Sequence, residues 1–185
     1  MLVLKQLLGK RWDLLVEEKQ LPVRQFVLFQ MIKVLFICHG NICRSPMAET
    51  IFNRIITDDE SQDEFYVDSA GLISYHQGEM ADSRMRMHAK RHGYDITHRS
   101  RPIRAHDFDS FDYIVAMDDD NYERLYDLAP TLEDTKKIVR TADYCTLPGV
   151  NYVPDPYYGG DQGFERVIEM LENACWEFYH SIKKT

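Results

Sequence analysis

The sequence predicts an α/β fold in which a parallel sheet of four short strands has helices on both faces. Short apolar runs, typical of strands buried on both faces, alternate along the chain with longer segments of helical periodicity. Helical crossovers between successive strands make the sheet parallel and cover both of its faces. With 185 residues, of which 44% are hydrophobic, the chain has enough apolar material for one such domain.

The predicted strands are residues 33–37, 65–68, 113–117 and 137–139, and the predicted helices are residues 46–56, 83–91, 119–128 and 164–181. The last helix carries apolar residues at helical spacing, so Trp176 and Tyr179 need no functional explanation. The acidic run at residues 118–120 is expected to supply negative charge to a helix N-terminus rather than to bind a metal.

The loop after the first strand contains the most informative motif. Residues 38–44 read Cys-His-Gly-Asn-Ile-Cys-Arg, and Ser45 and Pro46 then open an amphipathic helix. A loop between a buried strand and a helix aims backbone N–H groups and the positive end of the helix at one point, where an anion binds. Arg44 would clamp a tetrahedral oxyanion there, with the Cys38 sulfur beneath it. The same field would stabilise the Cys38 thiolate as a nucleophile.

Two other interpretations of this loop are weaker. Cys38 could be a buried residue that closes the strand, with Arg44 an unrelated surface side chain, because the Cys-x5-Arg spacing alone is not specific. The preceding strand, Gly40 and the helix that follows favour the anion site. A Walker nucleotide-binding loop is excluded, since it needs Gly-Lys-Ser/Thr where this chain has Cys43-Arg44-Ser45.

Several segments resemble those of the low-molecular-weight protein tyrosine phosphatases, in the order of that family. They are residues 34–49, Asp68-Ser69-Ala70-Gly71, Lys90-Arg91-His92-Gly93, Thr97-His98, Phe111-Asp112-Tyr113-Ile114, Met117-Asp118 and Asp155-Pro156-Tyr157-Tyr158. The resemblance runs from about residue 33 to the C-terminus, and two short motifs far apart in the chain make it specific. It implies a three-layer fold with sheet order 2-1-3-4 and the phosphate loop after strand 1.

The resemblance implies three catalytic residues. Cys38 would be the nucleophile, Arg44 would bind the phosphoryl group, and Asp155 would serve as general acid and then as general base. Alone, the Pro154-Asp155-Pro156 sequence would equally suit an ordinary turn. The other residues that the resemblance places in the phosphate-binding loop are His39, Gly40, Asn41, Ile42, Cys43 and Ser45.

A supporting network and an aromatic cleft also follow from the resemblance. The network would consist of Asn41, Ser45, Ser69 and His98, although Ser45 is also a natural N-cap for the next helix. Asn tolerates the left-handed backbone that such a loop requires. Aromatic walls for a flat substrate ring would be Tyr75, Tyr157 and Tyr158, and His39 and His76 would lie at the mouth of the cleft.

The activity that the resemblance implies is hydrolysis of phosphotyrosine in proteins through a phosphocysteine, with no cofactor and no metal. One alternative is a thiol-dependent arsenate reductase of the same fold, but its further cysteine pair is missing, since no cysteine lies between Cys43 and Cys145. Another is a protein arginine phosphatase, whose loop tends to carry Thr where this chain has Ile42. A non-catalytic anion-binding module is disfavoured by the presence of Cys38, Arg44 and Asp155 together.

Composition restricts the partners and the location. A net charge of −8 argues against nucleic acid and anionic membranes, and no run approaches the length of a membrane span. A thiol that must stay reduced argues for the cytoplasm, and a monomer is the default. The expected partner is a phosphotyrosine-containing protein. Cys43 either forms a protective disulfide with Cys38 or simply packs behind the loop.

The first thirty residues stand apart from this domain. Their apolar positions fit an amphipathic helix that ends before Pro22, and Lys5 and Gln6 interrupt the apolar stretch that a secretory signal would need. Residues 1–30 are therefore expected to be either an artefact of an upstream start or a lineage-specific extension ahead of the usual start at Met31, and residues 31–185 to form the phosphatase domain.

Overall fold

The computed structural model describes residues 31–183, except for the side chain of Tyr158. The predicted N-terminal extension, residues 1–30, lies outside the described part of the chain. Within the described part, no helix is both long enough and apolar enough to cross a bilayer.

The sheet has four strands, β1 (Ile32–Cys38), β2 (Phe65–Gly71), β3 (Tyr113–Ala116) and β4 (Ile138–Arg140), in the order β2-β1-β3-β4. Every neighbouring pair is parallel, and Cys38 at the end of β1 lies opposite Gly71 at the end of β2. The predicted strand order and strand direction are confirmed. The carboxyl ends of β1, β2 and β3 therefore meet at one edge of the sheet, where ligands bind in open α/β folds.

Six α-helices are described: α1 (Arg44–Asp58), α2 (Ser83–Arg91), α3 (Ala105–Ser110), α4 (Asp119–Leu128), α5 (Leu132–Thr135) and α6 (Gly160–Lys183). Two 3₁₀ turns, Thr141–Tyr144 and Pro156–Tyr158, complete the chain. The four predicted helices are present as α1, α2, α4 and α6. The short helices α3 and α5 were not predicted, because six and four residues give too few turns for a helical period to be recognised.

The side chains of β1 divide between two hydrophobic clusters, as the pleat of a strand requires. Val34 and Phe36 pack with residues of α1, α2 and α6, whereas Leu35 and Ile37 pack with residues of α3 and α4. The sheet is thus covered on both faces, and β1 is buried between the two helical layers.

The start of α1 does not fit the alternative role of Ser45 as the N-cap of this helix. Arg44 is already helical, Cys43 occupies the N-cap position, and no side chain caps the helix there. Ser45 therefore lies inside the first turn, where its hydroxyl is directed at Cys38, 3.0 Å from the sulfur. The N-cap alternative is wrong because the helix begins at Arg44, one residue before Ser45.

Phe52 is expected to be a main contributor to stability. It is fully buried, and its ring centroid lies 5.7 Å from that of Phe36 and 5.8 Å from those of Phe65 and Phe178. Truncation would leave a cavity among rigid rings, so Phe52→Ala should lower the free energy of unfolding by about 3–5 kcal/mol in urea titrations. Tyr126→Ala, at a surface position on α4, should cost less than about 1 kcal/mol. Similar losses in both variants would contradict this assignment.

Candidate active site

The loop of residues 38–44, the Cys38 loop, curls around the Cys38 sulfur. The Asn41 N–H donates to Cys38 Sγ at 3.3 Å, and the Ser45 hydroxyl lies 3.0 Å from the same sulfur. Asn41 adopts a φ of 55°, in the left-handed region, which turns its N–H inward. The buried sulfur thus lies between the Asn41 N–H and the Ser45 hydroxyl.

Gly71, at the end of β2, lets this loop lie directly against the sheet. A Cβ at this position would lie 3.0 Å from the Gly40 carbonyl carbon and 3.1 Å from the Asn41 nitrogen. Both atoms belong to the backbone and cannot turn aside. A side chain at residue 71 would therefore push the loop backbone aside by a few tenths of an ångström, and glycine lets the loop keep its shape.

The side chain of Asn41 connects the loop to four other residues. Its amide nitrogen donates to Ser45 Oγ and to Ser69 Oγ, both at 2.9 Å. Its carbonyl oxygen lies 2.9 Å from His98 Nε2 and accepts from the Arg101 backbone N–H at 2.9 Å. The structure thus brings together all four residues of the predicted supporting network, and it adds Arg101.

Glu49, on α1, holds the outer side of this network. Its carboxylate accepts from Ser69 Oγ at 2.6 Å and lies 2.9 Å from His98 Nδ1. The other nitrogen of His98, Nε2, faces the Asn41 carbonyl oxygen, so the ring lies between Glu49 and Asn41 and connects α1 to the Cys38 loop. Within the described residues, Glu49, Asp68 and His98 are close enough to share a metal ion. Hydrogen bonds already explain why these side chains lie together, since the Arg101 guanidinium donates to the Asp68 carboxylate.

Arg44 is almost entirely buried and is held by acceptors from two distant parts of the chain. Its guanidinium forms ion pairs with Asp118, at the N-cap of α4, and with Asp155, at 3.0 Å. It also donates to the Val153 carbonyl at 3.1 Å. Burial lowers the pKa of this guanidinium, but the negative charges of Cys38, Asp155 and Asp118 outweigh that effect and raise the pKa above its ordinary value.

Asp155 has both features that the sequence offered as alternatives. It caps the 3₁₀ turn Pro156–Tyr158, accepting from the Tyr157 N–H at 3.1 Å, and its other oxygen contacts Arg44. Its side chain is 43% exposed, so solvent and a substrate can both reach the carboxylate. The turn therefore serves to aim the carboxylate at the Cys38 loop.

These groups share a cavity of about 430 Å³. Its lining is Cys38, His39, Gly40, Ile42, Cys43, Arg44, Ile73, Tyr75, His76, Asp155 and Tyr157. Tyr75 is 82% exposed and stands at the rim, with its ring edge-on to that of His76 at 4.9 Å. A depression of about 820 Å³ between α2 and α6 contains none of the predicted site residues whose side chains are described.

The cavity separates the predicted residues into two groups. Asn41, Ser45, Ser69 and His98 lie behind the loop and hold its shape, while the predicted tyrosines Tyr75 and Tyr157 line the opening. The Tyr158 side chain lies outside the described part of the structure. Burial raises the pKa of the Cys43 thiol above its ordinary value, which keeps Cys43 protonated beside Cys38.

Comparison with known proteins identifies the family. The model of the low molecular weight phosphotyrosine protein phosphatase family matches residues 33–185. A low molecular weight protein-tyrosine-phosphatase of Streptomyces coelicolor is 42% identical over 144 residues, covering 77% of this chain and 88% of its own. The chain belongs to the low molecular weight protein-tyrosine-phosphatase family, a family of hydrolases.

Solved structures agree with this assignment. A protein tyrosine phosphatase of Entamoeba histolytica with Hepes in its active site is 46% identical, with a TM-score of 0.80, over 83% of this chain and 97% of that one. A Drosophila arginine phosphatase is 38% identical, with a TM-score of 0.77, over 82% of this chain and 97% of that one. The same fold is therefore found in relatives described as acting on two different phosphorylated residues.

Substitution of Asn41 tests the network. Asn41→Ala removes the hydrogen bonds and disfavours the left-handed backbone, whereas Asn41→Gly removes only the hydrogen bonds. Both variants should lower kcat for 4-nitrophenyl phosphate by about tenfold or more, since buried partners are left unsatisfied. Unfolding in urea should show Ala to be the less stable variant by about 1 kcal/mol. Full activity of the Gly variant would show that the side-chain network is not required.

Proposed function

We propose that this protein hydrolyses phosphotyrosine in proteins through a phosphocysteine intermediate. The observation that supports the proposal is the cavity in which the Cys38 sulfur, the Arg44 guanidinium and the Asp155 carboxylate meet below two tyrosines. A nucleophile, a phosphate clamp and a proton donor are the three parts that phosphoryl transfer from an aryl oxygen needs. The family assignment is consistent with this reading.

The substrate phosphoryl group would bind in the Cys38 loop, against the N-terminus of α1. Backbone N–H groups and the positive end of the helix favour a dianion there. Arg44 would turn one edge of its guanidinium from Asp155 to the phosphate oxygens, while Asp118 keeps hold of the other edge. The loss of one carboxylate partner is compensated by the dianion, so the buried charge stays paired.

In the first step the Cys38 thiolate attacks phosphorus, and the bond between phosphorus and the tyrosine oxygen breaks. Asp155 gives its proton to that oxygen, so the product leaves as a neutral phenol. The Asn41 N–H and the Ser45 hydroxyl, both already directed at the sulfur, keep the attacking thiolate in place. Phosphate is then bonded to Cys38.

In the second step water attacks the phosphocysteine on the side from which the phenol departed. The Asp155 carboxylate takes a proton from this water, and the sulfur–phosphorus bond breaks to release inorganic phosphate. Ser45 donates to the departing sulfur and stabilises it as a thiolate. Asp155 again carries a proton, and the enzyme returns to its starting state.

The walls of the cavity favour a flat substrate ring. Tyr75 and Tyr157 stand at the opening, and Ile42 and Ile73 supply apolar surface between them and the loop. An aryl phosphate reaches the floor of such a cleft and stacks on its walls, whereas a phosphoserine is too short to use them. Phosphoarginine is the competing substrate, because the Drosophila arginine phosphatase shares this fold.

We also propose that the protein works as a monomer in the cytoplasm and needs no metal ion. The cysteines of the described chain are all free, and a nucleophilic thiol persists in a reducing compartment. In the proposed mechanism Asp155 transfers the protons and Arg44 pairs with the charge of the phosphate, so no step requires a cofactor.

Phosphopeptide hydrolysis tests the substrate. We expect kcat/KM at about pH 6, without added metal, to be about 100-fold higher for phosphotyrosine than for phosphoserine peptides, since only the aryl group fills the cleft. Phosphoarginine peptides and thiol-coupled arsenate reduction should be measured alongside. Cys38→Ser should reduce turnover to below about one thousandth. Preference for phosphoarginine, or arsenate turnover, would refute the proposed substrate while leaving the fold intact.

The role of Asp155 predicts a dependence on the leaving group. Asp155→Ala should slow phenyl phosphate by about 10²–10⁴-fold, the usual contribution of a general acid. It should slow 2,4-dinitrophenyl phosphate far less, because that phenolate leaves without a proton. The neighbouring Asp118→Ala offers no matched control, since it removes a partner of Arg44. Asp161→Ala, an exposed position on α6, serves instead and should leave both rates unchanged. Equal losses for both substrates in Asp155→Ala would show that another group is the acid.

A further inference from the structure

We propose that Arg84, held by Asp82, is a positioning residue that fixes the segment carrying Asp155 above the Cys38 sulfur. The proposal rests on the function proposed above, and it concerns the placement of the general acid rather than the chemistry itself. Neither Arg84 nor Asp82 lies in the Cys38 loop, and no sequence motif indicated a role for either of them.

Arg84 contacts residues 153–159, the Asp155 segment, at a point just beyond the acid. Its Nη1 donates to the Tyr157 carbonyl at 3.1 Å, and its guanidinium carbon lies 4.9 Å from the centre of the Tyr157 ring. The same carbon lies 5.0 Å from the ring of Phe164, which is fully buried in the first turns of α6. The guanidinium therefore connects an exposed segment to the core.

Asp82 fixes the direction in which Arg84 extends. Its carboxylate caps α2 by accepting from the Arg84 N–H at 2.8 Å, and it accepts from Arg84 Nε at 3.1 Å and from Nη2 at 2.9 Å. Two parallel bonds to a planar fork leave the guanidinium little rotational freedom. The remaining edge, with Nη1, faces Tyr157. A lysine could keep the charge but could not contact both groups in this geometry.

Asp82 is itself attached to the Cys38 loop. Its backbone N–H donates to the Ile42 carbonyl at 2.8 Å. A continuous series of hydrogen bonds thus runs from Ile42 through Asp82 and Arg84 to Tyr157. It connects the loop of the nucleophile to the segment of the acid along one side of the cleft.

Arg44 makes the corresponding connection from below, through the Val153 carbonyl and the Asp155 carboxylate. In the proposed mechanism the ion pair between Arg44 and Asp155 is given up, because phosphate takes that edge of the guanidinium and Asp155 carries a proton. The contact of Arg84 with Tyr157 is unaffected by either event. Arg84 therefore matters most when the substrate is bound, and a shift of about 1 Å in a reacting group costs about 100-fold in rate.

Kinetics with substrates of different leaving groups test the proposal. Arg84→Ala should lower kcat for phenyl phosphate and phosphotyrosine by about 10- to 100-fold, with KM changed by less than about threefold. It should lower kcat for 2,4-dinitrophenyl phosphate by less than about threefold, since that group needs no acid. Arg84→Lys keeps the positive charge, and Asp82→Asn keeps a helix cap. Both variants should have a kcat for phenyl phosphate between those of wild type and Arg84→Ala. Arg91→Ala, an exposed arginine on the same helix, should behave as wild type.

A double-mutant cycle separates positioning from a general structural effect. If Arg84 acts through Asp155, the Arg84→Ala substitution should have almost no further effect on phenyl phosphate hydrolysis in an Asp155→Ala background. Losses that multiply, or an equal loss for every leaving group, would overturn the proposal. Should Arg84→Ala fail to fold, the cycle is run with Arg84→Lys. A failure of the proposed function can be told apart from a failure of this positioning role. If Asp155 is not the general acid, the loss of rate in Asp155→Ala alone will not depend on the leaving group.

Discussion

The buried charge of Arg44 is the constraint on which the rest of the site depends. A guanidinium removed from water is tolerated only when it is fully paired, and breaking a buried pair costs about 3–5 kcal/mol. Its partners come from the N-cap of α4 and from residues 153 and 155, far from the loop in sequence. Satisfying this one charge therefore brings Asp155 to the Cys38 loop, and the fold and the site are stabilised by the same contacts.

The second requirement is a loop that holds its N–H groups inward, and Asn41 meets it. Its left-handed backbone costs free energy, which the hydrogen bonds to Ser45, Ser69 and the backbone of Arg101 offset. These partners lie in α1, in β2 and in the loop that precedes α3. These partners hold the loop rigid. Substitutions outside the cavity that displace one of them should therefore also displace the Cys38 sulfur, through Asn41.

The features that could be predicted from the sequence are those encoded locally. The strand before Cys38, the loop and the amphipathic pattern of α6 are each contained in a short stretch, and the strand order followed from the resemblance. The contacts of Asp118 with Arg44, of Gly71 with the loop and of Arg84 with Tyr157 join residues distant in the chain, and no local pattern indicates them. The same limit explains the error at Ser45, whose local sequence suits a helix cap while its tertiary partner is a sulfur.

Because Gly71 lies against the Cys38 loop, the site can form only when β1 and β2 pair in the correct register. Cys38 and Gly71 are partners in the register of β1 and β2. A slip of one residue would bring Ala70 or Leu72 to this position, and the added Cβ would collide with the backbone at Gly40 and Asn41. A molecule whose two strands pair out of register could be compact and still lack a working loop. Specific activity therefore reports the fraction of molecules with correctly aligned strands, which bulk secondary structure content would not reveal.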